Sequence, residues 1–302
     1  MRFSFWPGSG QPFETVKALA LHAEATGWDG IYYADHFMPN GADVSGPLNE
    51  AWTTLAALAA TVPRVRLGTL VTGNTYRHPA ILAKMAASVD QISGGRFILG
   101  LGAGWQENEH KAYGLEFSTV RGRLDRLAEA LEVITGLFEN ERTTLAGKHY
   151  QLEDAPLEPK PVQNPLPILI GGGGEKVLLK LVARYADEWN IWGNVATMKH
   201  KMAILDQHCR DLERDPTEIK RSAVAMLFMS EDKSFLDKIR TGGPDRPVIV
   251  GTAKEVADIL RAYAEAGVDE IVIPDFNLGE GDKKRERMDR FMNEAVAASG
   301  LH

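Results

Sequence analysis

The chain has 302 residues, 44% hydrophobic and 25% charged, which is the range of an ordinary globular protein with a packed core. Its net charge of −7, with basic residues scattered among acidic ones, excludes the dense positive footprint of a nucleic-acid surface. One cysteine, Cys209, excludes an intrachain disulfide, and no apolar run approaches the roughly 18 residues of a membrane span.

The first residues, MRFSFWPG, lack the charged, apolar, then small-residue order of a signal peptide, so a cytoplasmic protein is expected. Strand candidates follow in order: RFSFW (2–6), GIYYADHF (30–37), VRLGTLVTG (65–73), FILGLGAGW (97–105), PILIGG (167–172), EWNIWG (188–193), AVAMLFMS (223–230) and EIVIPDF (270–276). Between them, apolar residues recur at helical spacing: Phe13, Val16 and Ala20; Trp52, Leu55 and Leu58; Leu124, Leu127, Leu131 and Ile134; Val256, Ile259, Leu260 and Tyr263. Thr252 with Glu255 predicts a capping box, Asp215-Pro216 with Glu218 predicts another helix start, and Gly27 and Gly267 predict helix stops.

Strands apolar on both faces, alternating with helices, predict a parallel sheet covered by helices. Eight of them favour a closed (β/α)8 TIM barrel over an open doubly wound sheet. Residues 1–302 then form one domain, with insertions around 143–167 and 231–251. The first insertion reads as two strand-like halves around Ala146-Gly147. The run KKRER (283–287) reads as a solvated helix face.

In such a barrel the strand ends build the site. Gly171, Gly172, Gly173 and Gly174, between a strand and a helix, predict uncovered N–H groups suited to a phosphate. A tight turn alone needs one or two glycines. The stretch GLGAGW (100–105) lacks the dinucleotide fingerprint, but its glycines suit a flat ring laid against bare backbone. His36, beside Asp35, is the candidate for proton transfer, and a purely structural Asp-His pair is equally compatible with the spacing. Trp6, Trp105 and Trp192 close strands and are candidates for the substrate pocket. The other histidines have no zinc-ligand spacing, and no nucleophile motif occurs, so no metal and no covalent catalysis are expected. A planar phosphorylated cofactor positioned by the protein suits this inventory.

The phrases GWDGIYYADHF, EAWTTLAALAATVPRVRLGTLVTGNTYRHPAILAKMAASVDQISGGRFILGLGAGWQENEHKAYG, HYQLEDAPLEPKPVQNPLPILIGGGG and GTAKEVADILRAYAEAGVDEIVIP together resemble the bacterial luciferase-like monooxygenase family. Within it the chain is most similar to the oxidoreductases that use the deazaflavin coenzyme F420. The resemblance implies a flavin-type ring at the C-terminal face of the barrel and its phosphate on Gly171 to Gly174. It implies a cis peptide at Leu70-Val71 against the ring, ring contacts from Asp35, Gly102, Gly104 and Asn108, and His36 as acid or base. Where some relatives carry a glutamate, this chain has Trp105, so that catalytic carboxylate is absent. The implied activity is hydride transfer between the deazaflavin and a small organic substrate, with an FMN-dependent monooxygenase as the alternative. A homodimer is implied as well.

Overall fold

A computed structural model describes all 302 residues. Eight parallel strands form the barrel: β1 (Arg2–Trp6), β2 (Gly30–Tyr33), β3 (Arg66–Thr69), β4 (Phe97–Gly102), β5 (Ile168–Gly171), β6 (Glu188–Trp192), β7 (Lys220–Val224) and β8 (Glu270–Pro274). β1 pairs with both β2 and β8, in register Arg2↔Glu270 and Ser4↔Gly30, and β3 pairs with β4, so the sheet closes on itself. After a cis Leu70–Val71 peptide, Thr72 and Gly73 resume pairing with Leu101 and Gly102.

The surrounding helices include α1 (Phe13–Ala25), α2 (Ala51–Thr61), α3 (Pro79–Ser93), α4 (Glu107–Ala112), α5 (Val120–Glu139), α6 (Leu178–Tyr185), α7 (Val195–Asp211), α8 (Lys233–Gly242), α9 (Ala253–Glu265) and α10 (Gly281–Arg290). On α5 the fully buried Leu127, Leu131 and Ile134 recur at i, i+4 and i+7, one stripe facing the barrel. Both bonds of the Thr252/Glu255 capping box are made. Gly27 (φ 89°) and Gly267 (φ 92°) follow the ends of α1 and α9 in the left-handed conformation. Cys209 is buried on α7.

Two cores result. The larger lies between the strands and the helices; the smaller fills the barrel interior with Trp6, Tyr32, Ala34, Leu70, Ile98, Leu169, Val224 and Val272. Below the inner cluster, at the N-terminal ends of the strands, Glu270 accepts from Arg2, Ser4 and Tyr32, and Glu188 accepts from Arg2 and Arg66.

Three expectations need correction. Asp215-Pro216 opens only a single 3-10 turn (Pro216–Glu218), because the chain enters β7 at Lys220, directly after Ile219. The barrel part of AVAMLFMS therefore begins earlier, at Lys220. Its later part, Met226–Met229, leaves the barrel and pairs in parallel with Val248–Gly251, so the 231–251 insertion adds α8 and a small outer sheet. Finally, KKRER is not wholly solvated. Lys284 is buried, ion-paired to Asp275 and donating to Gln11 Oε1 at 3.0 Å, which ties α10 to the barrel mouth. The 143–167 insertion opens, as expected, with an antiparallel hairpin (Thr143–Ala146 with Gln151–Ala155).

Candidate active site

At the C-terminal end of the barrel a cavity of about 750 Å³ opens above the inner cluster. Trp6, His36, Leu70, Val71, Trp105, Gly171, Gly172, Gly173 and Trp192 all line it, so residues 186 positions apart in sequence meet in one space. Further wall comes from the loop after β2 (Met38, Pro39, Asn40, Leu48), from Lys201 on α7, from Phe276 after β8 and from Arg246 in the second insertion.

His36 is held from behind. Its Nδ1 donates to Glu109 Oε1 at 2.8 Å, while the Phe37 N–H donates to Glu109 Oε2 at 2.8 Å and the Tyr76 hydroxyl donates to Oε1. Glu109 is fully buried on α4. Burial pushes its carboxyl up, but the hydrogen bonds from His36, Phe37 and Tyr76 outweigh it, and the group lies below the usual carboxylate range. Burial and the bond to Glu109 push the Tyr76 phenol far up, so it remains a donor. A carboxylate on Nδ1 fixes the proton there, and Nε2, which has no partner in the chain, is left for the cavity that His36 lines. The neighbouring His110 does the same for the next loop, bonding Gln106 O at 2.7 Å and Thr75 Oγ1 at 2.6 Å.

Asp35, Gly102, Gly104, Asn108 and Gly174 do not line the cavity. Asp35 alternates with His36 along the chain and points the other way. It is fully buried in a two-pronged pair with Arg77 (2.6 and 3.2 Å), which also holds Glu50 at 2.5 Å. Burial pushes the Asp35 carboxyl up, and Arg77 draws part of that back. Gly102 makes room for a side chain: a Cβ there would lie 2.9 Å from Val71 Cγ2. Gly104 has φ 78°, and a Cβ would lie 2.6 Å from Thr75 Oγ1. Asn108 accepts the N–H of Glu109 at 2.9 Å.

The four glycines have four different surroundings. A Cβ on Gly171 would meet Val71 Cγ1 at 2.9 Å, and Gly172 has φ 125°. The Gly172 N–H donates to Asn190 O (2.9 Å) and its carbonyl accepts from Trp189 Nε1 (2.8 Å), so this residue is spent on the fold. Gly173 faces the cavity with Lys201 beside it, whose Nζ donates to Gly173 O (2.9 Å) and pairs with Glu175 (2.7 Å). Gly174 packs on Leu178 at the start of α6. The N–H groups of Gly173 and Gly174 make no hydrogen bond within the chain.

Trp6, Trp192 and Phe276 pack together, with centroids 5.3 to 6.4 Å apart, and Trp105 meets His36 edge-on at 5.4 Å. The sequence reading missed Glu109, Tyr76, Arg77, Lys201 and Arg246. On a short helix, a glutamate that anchors a histidine carries the same sequence signal as one in solvent.

The family model for luciferase-like monooxygenase matches residues 1–238. The chain belongs to this family. Among curated luciferase-like relatives, an F420-dependent glucose-6-phosphate dehydrogenase of Kineococcus radiotolerans is 40% identical over 160 residues, covering 53% of this chain and 47% of that protein. An F420-dependent hydroxymycolic acid dehydrogenase of Mycobacterium tuberculosis is 31% identical over 240 residues, covering 78% and 66%. The chain thus spans about half the length of the first of these and 66% of the second. Among solved structures, an F420-dependent secondary alcohol dehydrogenase in complex with an F420-acetone adduct superposes with a TM-score of 0.83 at 22% identity, over 98% of each chain. The coenzyme F420-dependent tetrahydromethanopterin reductase of Methanopyrus kandleri gives 0.82 at 20% identity over the same shares. At that identity the likeness speaks for the shared luciferase-like fold.

Proposed function

We propose that this luciferase-like protein is a coenzyme F420-dependent oxidoreductase that moves a hydride between the deazaflavin and a small organic substrate. The observation that carries the reading is His36, with Nδ1 locked by a buried carboxylate and Nε2 unpartnered in a cavity floored by Leu70 and Val71. The residues present suit an apolar ring with an anionic tail. Leu70 and Val71 offer an apolar shelf, while the unpaired Gly173 N–H and the Lys201 ammonium offer an anion site at the cavity wall, with the unpaired Gly174 N–H next to it in the chain. When bound, the deazaflavin supplies or accepts the hydride at C5.

In this reading His36 Nε2 gives or takes the accompanying proton, and Glu109 keeps the imidazole oriented. Asp35 acts through Arg77 to fix the strand end that carries His36. The relatives named for glucose 6-phosphate are not the guide to substrate. Trp105 stands where the resemblance places a glutamate, and no Asp or Glu lines the cavity.

Titrating the purified protein separately with oxidised coenzyme F420 and with FMN tests the cofactor assignment. Saturable binding of the deazaflavin, with FMN weaker by about tenfold or more, is expected. Tight FMN binding with no deazaflavin binding would replace the proposal by the monooxygenase alternative. A homodimer, which the family resemblance implies, is proposed as well. Light scattering should give twice 33.2 kDa, and a mass of 33.2 kDa would refute the dimer.

A further inference from the structure

The cavity's charge is opposite to that of the molecule. The chain carries a net −7, yet the ionisable side chains lining the cavity are His36, Lys201 and Arg246, with no carboxylate among them. Two of these are already engaged within the chain: His36 with Glu109, and Lys201 with Gly173 O and Glu175. Arg246 differs. It forms no ion pair and no hydrogen bond, and its guanidinium lies over the Trp192 ring at 4.5 Å from the centroid. The stacking orients the planar fork while leaving its N–H donors unused.

Trp192 belongs to the aromatic wall completed by Trp6 and Phe276. Much of the polar lining is also committed internally. Gln106 Nε2 donates to Met38 O at 2.9 Å and Asn190 Nδ2 to Ser222 Oγ at 2.8 Å. What faces the substrate is then flat and apolar along one wall, with one unpaired guanidinium at its rim. A guanidinium fork matches a carboxylate in two parallel hydrogen bonds.

We propose that the substrate is a planar, conjugated carboxylate, its unsaturated body packed on Trp6, Trp192 and Phe276 and its carboxylate held by Arg246. This rests on the oxidoreductase reading for what happens to the molecule after binding, and on the cavity alone for which molecules bind. Arg246 comes from the 231–251 insertion, so that segment supplies the choice of acid over neutral substrate while the barrel's own tryptophans supply the choice of a flat one.

The test is calorimetric titration of the protein saturated with oxidised coenzyme F420, using trans-cinnamate, trans-cinnamamide and cyclohexanecarboxylate as probes. Cinnamate should bind at least about tenfold tighter than either of the others. Arg246→Gln should bring acid and amide to within about twofold, and Arg246→Lys should restore part of the preference. Trp192→Leu should abolish the preference for the aromatic acid over the cyclohexyl acid. Equal binding of acid and amide by the wild type, an undiminished acid preference in Arg246→Gln, or no binding of any probe would each overturn the proposal. Repeating the titrations without the coenzyme separates the two readings. A protein that fails to bind the deazaflavin yet keeps this ranking of probes loses the cofactor assignment and keeps the substrate class.

Discussion

Glu109 is the residue on which the proposed chemistry turns, because it satisfies three donors from two different loops with one buried carboxylate. His36→Ala should lower kcat by at least about 100-fold, the usual contribution of a positioned acid or base. Near-normal turnover in that variant would remove His36 from the mechanism. Glu109→Gln keeps the shape but not the charge, so kcat should fall with KM little changed, as befits a residue acting only through His36. Its stability carries a second signature. The Glu109 carboxyl is held below its unfolded value of about 4.3, so its contribution is fully present above that pH and is lost as pH falls through the lower folded value. Urea unfolding of wild type and Glu109→Gln should therefore show a gap that closes as the solution is made more acid than about pH 4.3. A gap that widens with acid would show that burial, not the hydrogen bonds, governs this group. His36 itself was legible in the sequence because it closes an apolar strand. Glu109 was not, because what distinguishes it is burial and a partner 73 residues away, neither of which local pattern encodes.

Among the elements, the junction of β3, β4 and β5 gives neighbouring glycines different surroundings. The expected anion site needed bare N–H groups, and Gly173 and Gly174 have them, whereas Gly171 and Gly102 face each other across the Val71 side chain. A methyl group at either would sit 2.9 Å from Val71, too close for any real Cβ. Gly102→Ala and Gly171→Ala should each destabilise the protein by about 1–3 kcal/mol through overpacking. Combining either with Val71→Ala should recover most of that loss, a coupling that a double-mutant cycle reads directly. Additive losses would mean that the glycines serve backbone conformation instead. The eight strands were legible because apolar runs between helical periods recur around the whole barrel. The fate of AVAMLFMS was not, since one continuous apolar run served two sheets and only tertiary pairing with Val248–Gly251 divides them.

Across the whole molecule the barrel separates a cation-lined mouth from an ionic base. The base joins Arg2, Arg66, Glu188 and Glu270, two charges of each sign, with both carboxylates almost wholly buried. Such a network lies at the face opposite the cavity, so changes there should alter stability and leave deazaflavin affinity as it is. Within it, burial and the neighbouring Glu188 push the Glu270 carboxyl up, against the pull of Arg2 and Arg66. The folded chain thus binds this proton more readily than the unfolded chain, whose glutamates titrate near about 4.3. Between those two values the contribution of Glu270 to stability falls as pH rises, the reverse of Glu109. Glu270→Gln removes the titration while keeping an acceptor for Ser4 and Tyr32. Measured by urea unfolding from pH 4 to 7, the stability of wild type minus that of Glu270→Gln should decline with rising pH. A difference that instead grows with pH would show that the two guanidiniums outweigh burial, and that the base of the barrel is a true ion-pair network in which the carboxylate is favoured over the acid.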